Sequence, residues 1–160
     1  MTQTNLANTQ GPIIPKIPFQ ACPIRASLGI FGKKWTLLIL RDMVFLKSMR
    51  FNQILKNNSG LTPRALSLRL RDLQRVGLIE RIVNSERKND VKYRLTRKGF
   101  DTAPILTAFI QYGMRHYSGT VFEDGRPRKL NEVFPEKQPA MLGKLLIAYA
   151  EETRPQPAHR

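Results

Sequence analysis

TPRALSLRLRDLQRVG, residues 62–77, opens on a hydroxyl residue followed by proline and closes on glycine. Thr62 can accept a hydrogen bond from the first helical turn, and Pro63 suits the first helical position, where its missing N–H has no partner to lose. Gly77 supplies the left-handed residue on which helices commonly end. The segment therefore predicts a helix from Pro63 to Val76. With Leu66 at the centre of the buried side and about 100° per residue, Leu70 and Leu73 fall within about 40° of it. Arg64, Leu68, Arg71 and Arg75 fall on the opposite side, with Ser67 at the flank. One rod thus has a leucine seam on one side and an arginine row on the other.

Upstream of this rod, Phe51 to Asn57 reads as a short helix with Phe51, Ile54 and Leu55 on one face, followed by a turn at Asn57-Asn58-Ser59-Gly60. A helix from about Lys34 to Phe45 places Trp35, Leu38, Ile39, Asp42, Met43 and Leu46 on one side, Asp42 being the exception in an apolar stripe. Lys47 to Arg50 breaks that pattern. Pro23 starts an earlier helix in which Ile24, Leu28 and Phe31 recur at four and three residues, and Gly32 ends it. Residues 1–20 carry Pro12, Pro15 and Pro18 and read as an extended arm. Downstream, Leu78 to Val83 and Val91 to Leu95 read as two strands around the polar turn Asn84 to Asp90. Thr96 is then expected to cap a long helix from about Arg97 to Tyr117, in which Pro104 is tolerated only if the true start lies at residues 101–103. Residues 118–138 look loop-like, and residues 140–151 (AMLGKLLIAYAE) form one more amphipathic segment.

This order predicts a mainly α fold with a small β-hairpin: a winged helix-turn-helix with a long C-terminal helix. The expected organisation is an arm at 1–20, the winged domain at 22–118 and an extension with a short helix at 119–160.

The chain has 160 residues, with 27 Lys+Arg against 12 Asp+Glu, a net of +15. The excess is uneven: +7 over residues 1–60, +7 over 61–99 and +1 over 100–160. Such a balance points to a polyanion, either nucleic acid or an anionic membrane face. The single cysteine, Cys22, excludes an intrachain disulfide. The longest apolar run, Trp35 to Leu40, is too short for a bilayer, and Met1 to Gln10 has no apolar signal core, so a cytoplasmic protein is expected. His116 and His159 lie far apart with no cysteine pair, so no zinc spacing exists. No nucleophile-elbow, phosphate-loop or HExxH motif is present. No metal, no cofactor and no catalysis are expected.

The arginine row suits a DNA major groove. Thr62, Pro63, Arg64, Ser67, Leu68, Arg71 and Arg75 are the candidate contacts: side chains toward the N-terminal half of the helix reach base edges, and a further arginine reaches phosphate. The guanidinium fork matches guanine, and an exposed leucine can pack on a thymine methyl. Arg87 and Lys88 lie at the hairpin tip, placed for the adjacent minor groove or its phosphates. The competing reading is a solvated face. Two rival functions also share the charge: a basic RNA-associated protein, and a winged-helix interaction module for an acidic partner. The aromatic residues mostly fall on buried faces, which disfavours single-stranded RNA.

Cys22-Pro23-Ile24-Arg25, Gly32-Lys33-Lys34-Trp35-Thr36-Leu37-Leu38-Ile39-Leu40-Arg41, Leu61-Thr62-Pro63-Arg64, Leu66, Arg69-Leu70-Arg71-Asp72-Leu73, Gly77-Leu78-Ile79 and Tyr93-Arg94-Leu95-Thr96-Arg97-Lys98-Gly99 occur in order. Over residues 22–118 the chain resembles the HxlR-type winged helix-turn-helix regulators. The resemblance implies a homodimeric prokaryotic transcription regulator on a palindromic or direct-repeat operator. It implies a dimer built by the helix before Trp35 (Ile24, Leu28) and the long helix after the wing (Phe100, Leu106, Phe109, Ile110, Met114), although the latter face could instead close the monomer core. Two departures stand out: Leu68 replaces a usually polar residue, and the 40-odd residues after Tyr117 exceed the usual length. Cys22 directly precedes a proline-started helix, with Arg25 nearby. Relatives use a cysteine here to sense oxidants or electrophiles, so the resemblance makes Cys22 a redox candidate; the alternative is a small buried apolar residue. The resemblance leaves the small-molecule effector open.

Overall fold

The leucine seam is the floor of the core: Leu66, Leu70 and Leu73 are all at most 1% exposed. They lie on α4 (Pro63–Arg75), preceded by α1 (Pro23–Phe31), α2 (Thr36–Val44) and α3 (Phe51–Asn57). The computed structural model describes residues 14–47, 49–83 and 91–133. After α4 come the strands β1 (Ile79–Val83) and β2 (Val91–Leu95), then α5 (Arg97–Phe100), α6 (Ala103–His116), α7 (Ser118–Val121) and α8 (Leu130–Val133). The strands pair antiparallel, with Ile79 opposite Leu95 and Val83 opposite Val91. Directly opposed Glu80 and Arg94 add a cross-strand ion pair at 2.7 Å. The hairpin joins the core through Ile79 and Leu95 at its base, with the half-buried Tyr93 packed against it, while β1 is exposed beyond Ile79. The Tyr93 amide donates to the Met49 carbonyl at 2.7 Å, which ties the segment before α3 to the hairpin. These elements make a mainly α winged helix-turn-helix.

Three expectations are corrected. Leu38 and Leu46 do not share the buried side of α2; they are exposed, whereas Leu40 and Val44 are fully buried. Neighbours surround α2 (α1, α3, β2 and α6 all pack on it), so a single stripe underestimates its buried surface. The long helix expected after Thr96 is divided. Thr96 caps only α5, its Oγ1 accepting from the Gly99 amide at 3.1 Å, and α6 starts afresh at Ala103 with Pro104 in its first turn. A proline further inside would remove a backbone hydrogen bond and clash with the preceding turn, so the chain restarts to place it where helices accept it. Residues 118–133, expected as loop, hold α7 and α8. The amphipathic segment 140–151 lies outside the described residues.

Asp42 is fully buried and answered on all sides. Arg41 donates to its Oδ1 through Nε (3.0 Å) and Nη2 (2.7 Å), and Asn58 Nδ2 donates to its Oδ2 at 2.6 Å. Asn58 Nδ2 also reaches the Ile54 carbonyl at 2.8 Å. A buried carboxylate without partners would be costly. Here it clamps α2 to the turn that leads into α4.

Candidate nucleic-acid interface

Both ends of α4 are fixed by local chemistry. The Thr62 Oγ1 accepts from the Ala65 amide at 3.2 Å, the hydroxyl cap the sequence predicts. At the other end Gly77 adopts φ +73°. The Gly77 amide donates to the Gln74 carbonyl (3.0 Å) and the Leu78 amide to the Leu73 carbonyl (2.9 Å), closing a Schellman motif. Lys98 Nζ donates to the Val76 carbonyl at 2.7 Å, placing a cation at the negative end of the helix.

The turn before α4 is braced from α2. Trp35 caps α2 in the left-handed region at φ 76°, and its ring edge lies beside Gly60, itself at φ +82°. A side chain on Gly60 would touch the indole at 3.7 Å while also straining the backbone.

A third brace was missed by sequence reasoning. Asp72, buried on the flank of α4, accepts from Lys33 Nζ at 3.0 Å, from Arg69 Nη1 at 2.8 Å and from Arg75 Nη2. The Lys33 hydrogen bond, with the charges of Lys33, Arg75 and Arg69, holds the Asp72 carboxyl below its ordinary value even though burial opposes this. The i±3 spacing of Arg69, Asp72 and Arg75 was a usable signal. The Lys33 contact, 39 residues away, was not.

With the inner side so anchored, the outer side presents Arg64, Leu68, Arg71 and Arg75, all exposed. Thr62 and Pro63 are exposed beside them, and Ser67 is half-buried at the flank. Arg71 Nε donates to the Ser67 carbonyl at 3.4 Å, which lays its stem along the helix. Arg75 belongs partly to the Asp72 cluster, yet its side chain is 70% exposed. Arg87 and Lys88 lie outside the described residues.

The residues expected at a dimer contact separate into two groups. Leu106 and Met114 are 4% exposed and belong to the interior of the monomer, because α6 turns that side onto α2. Ile24, Leu28 and Phe109 are strongly exposed and line one shallow groove between α1 and α6 with Phe31, Leu37 and Ile105. Phe109 and Ile110 also edge a larger apolar cavity of about 600 Å³ between α2 and α6. Phe100, on α5, lines neither. Leu37 and Ile105 are members of this face that the sequence reading left out. Cys22 is exposed at the N-cap of α1, which removes the buried-cysteine alternative.

Comparison with known proteins agrees with this geometry. The model of the HxlR-like helix-turn-helix family matches residues 30–120. The chain belongs to that family. This HxlR-like protein is similar to YdeP of Bacillus subtilis (strain 168), named an uncharacterized HTH-type transcriptional regulator, with 34% identity over 98 residues covering 61% of this chain and 76% of that one. It is similar to another so named, sll1512 of Synechocystis sp. (strain PCC 6803), with 36% identity over 92 residues, 58% of this chain and 67% of that one. Among solved structures, the redox regulator HypR in its oxidized form aligns with a TM-score of 0.52 and 30% identity over 57% of this chain and 94% of that one. Family and fold together make the HxlR-like chain a DNA-binding transcriptional regulator. No helix among the described residues is long and apolar enough to cross a membrane.

Proposed function

We propose that the protein acts as a cytoplasmic, non-catalytic homodimer that lays one α4 from each copy into the major groove of a duplex operator. The observation that carries this reading is the two-sided character of α4: a buried leucine seam, an Asp72 cluster on the flank, and Arg64, Leu68 and Arg71 facing outward. Arg64 and Arg71 suit guanine edges. Thr62, Pro63 and Ser67 guide the helix entry along the backbone, and Arg75 suits a phosphate. Arg87 and Lys88 add a sequence-independent wing contact. The DNA-binding unit is residues 22–118, flanked by the arm at 1–20 and the extension at 119–160.

The dimer would form through the apolar face of α1 and α6, at Ile24, Leu28, Phe109 and Ile110. Large exposed apolar patches mark association surfaces, and Ile24 at 70% and Phe109 at 59% exposure meet that description. Pairing there would set the two α4 helices about 34 Å apart, one turn of DNA. Cys22 lies next to this face, one residue before Pro23, which lines the same groove. We therefore assign it a redox role, as an intersubunit disulfide formed by a two-electron thiol oxidant or as a one-cysteine adduct. The exposed thiol and the similarity to HypR support that role.

Competition at fixed salt tests the reading. Unlabelled duplex carrying the gene's upstream region should displace a labelled upstream duplex, and structured RNA or an acidic protein should not. Footprinting with and without a thiol oxidant then tests Cys22. Equal displacement by RNA would refute DNA recognition, and an oxidant-insensitive footprint would remove the redox role alone.

A further inference from the structure

Leu68 is 44% exposed in the middle of α4. Its neighbours one turn away, Arg64 and Arg71, are exposed cations. It is not among the side chains packed against the core, and it lines neither the α1–α6 groove nor the α2–α6 cavity. Among the described residues, folding thus leaves nearly half of its aliphatic surface open on this face, and neither the core nor the candidate dimer groove takes it up. The surrounding charge selects a polyanion as the occupant. Among the base edges of a DNA major groove, the apolar group on offer is the C5 methyl of thymine.

We propose that Leu68 is a specificity-determining residue that reads a thymine by burying its C5 methyl. The inference rests on the groove-binding reading of α4 and adds to it the identity of one base. Along the helix axis Leu68 lies about 6 Å beyond Arg64 and about 4.5 Å before Arg71, at about 1.5 Å per residue. Base pairs are about 3.4 Å apart. The thymine therefore falls between the bases or phosphates that Arg64 and Arg71 meet. Leucine offers no hydrogen bond, so the methyl alone makes the choice at that step.

The test uses the full chain. A preferred duplex is selected from a random library, and each of its thymines is then replaced singly by deoxyuridine, which removes only the methyl group. One thymine per bound α4 should cost about fourfold in affinity on replacement, the equivalent of burying one methylene-sized group, about 0.8 kcal/mol. Leu68→Ala should bind the thymine duplex about fourfold more weakly and be indifferent to the replacement. Its melting temperature should match the parent, since the position is exposed and alanine favours helix. A selected duplex in which every replacement is silent overturns the proposal, as does a Leu68→Ala protein that still distinguishes thymine from uracil. Failure to select any sequence would instead overturn groove recognition itself.

Discussion

Replacing Asp72 by asparagine (D72N) removes one negative charge from the point where Lys33, Arg69 and Arg75 converge. The side chain keeps its shape, so packing is preserved and the electrostatic term is isolated. A hydrogen bond to a charged group is worth about 1.5–3 kcal/mol where water is excluded, whereas an exposed pair is worth about 0–1 kcal/mol. Arg75, at 70% exposure, belongs to the second class. Lys33, at 37%, sits between them, and Arg69, at 17%, is nearer the first. Discounting each for its contact with water gives a loss of about 2 kcal/mol, and at about 4 °C per kcal/mol the melting temperature should fall by about 8 °C. The pH dependence has a definite sign. The carboxyl is held below its ordinary value of 3.8 in the folded state. Its contribution is therefore complete above that value and lost as the pH falls through the lowered one. Urea unfolding of both proteins should give a constant difference from pH 8 to 5, narrowing below about pH 4. Equal stability at pH 7, or a difference that widens on acidification, would refute the role assigned to Asp72 in fixing α4 to the α1–α2 turn.

The remaining predictions divide interface from scaffold. Arg64→Ala and Arg71→Ala should each cost about 1–3 kcal/mol on the selected operator and relax preference at one position, while Lys88→Ala should weaken all sequences alike; anisotropy on operator and random duplex distinguishes them. Gly99→Ala should destabilise by about 1–3 kcal/mol or more, because the new Cβ would lie 2.1 Å from the Leu78 carbonyl oxygen, and thermal melting reads this directly. Ile24→Asp or Phe109→Asp should leave the melting transition cooperative and convert a dimer to a monomer in sedimentation; an unchanged mass would move the subunit contact elsewhere.

Much of the outward side of α4 was legible before any coordinates. Thr62-Pro63 and Gly77 mark its ends because caps depend on neighbours within a few residues. The leucine seam is legible because helical periodicity is local. The hairpin was legible from alternation in Val91 to Leu95, and only its base proved buried. Long-range partners were harder. Asp42 was visible as an oddity in an apolar stripe, but nothing in its surroundings in the chain identified Asn58 as the group that answers it.

Local chemistry in the sequence alone determined where α4 starts and stops, which leucines it hides, which cations it offers and how unevenly the charge is spread. Tertiary structure alone decided that Lys33 meets Asp72, that α6 begins at Ala103, and that Leu106 and Met114 close the monomer while Phe109 stays exposed. The physical reason is range. Caps and periodicity act over one or two turns, whereas the side of α6 that is buried depends on which helix packs against it, and an apolar residue reads alike in a core or on an uncovered face.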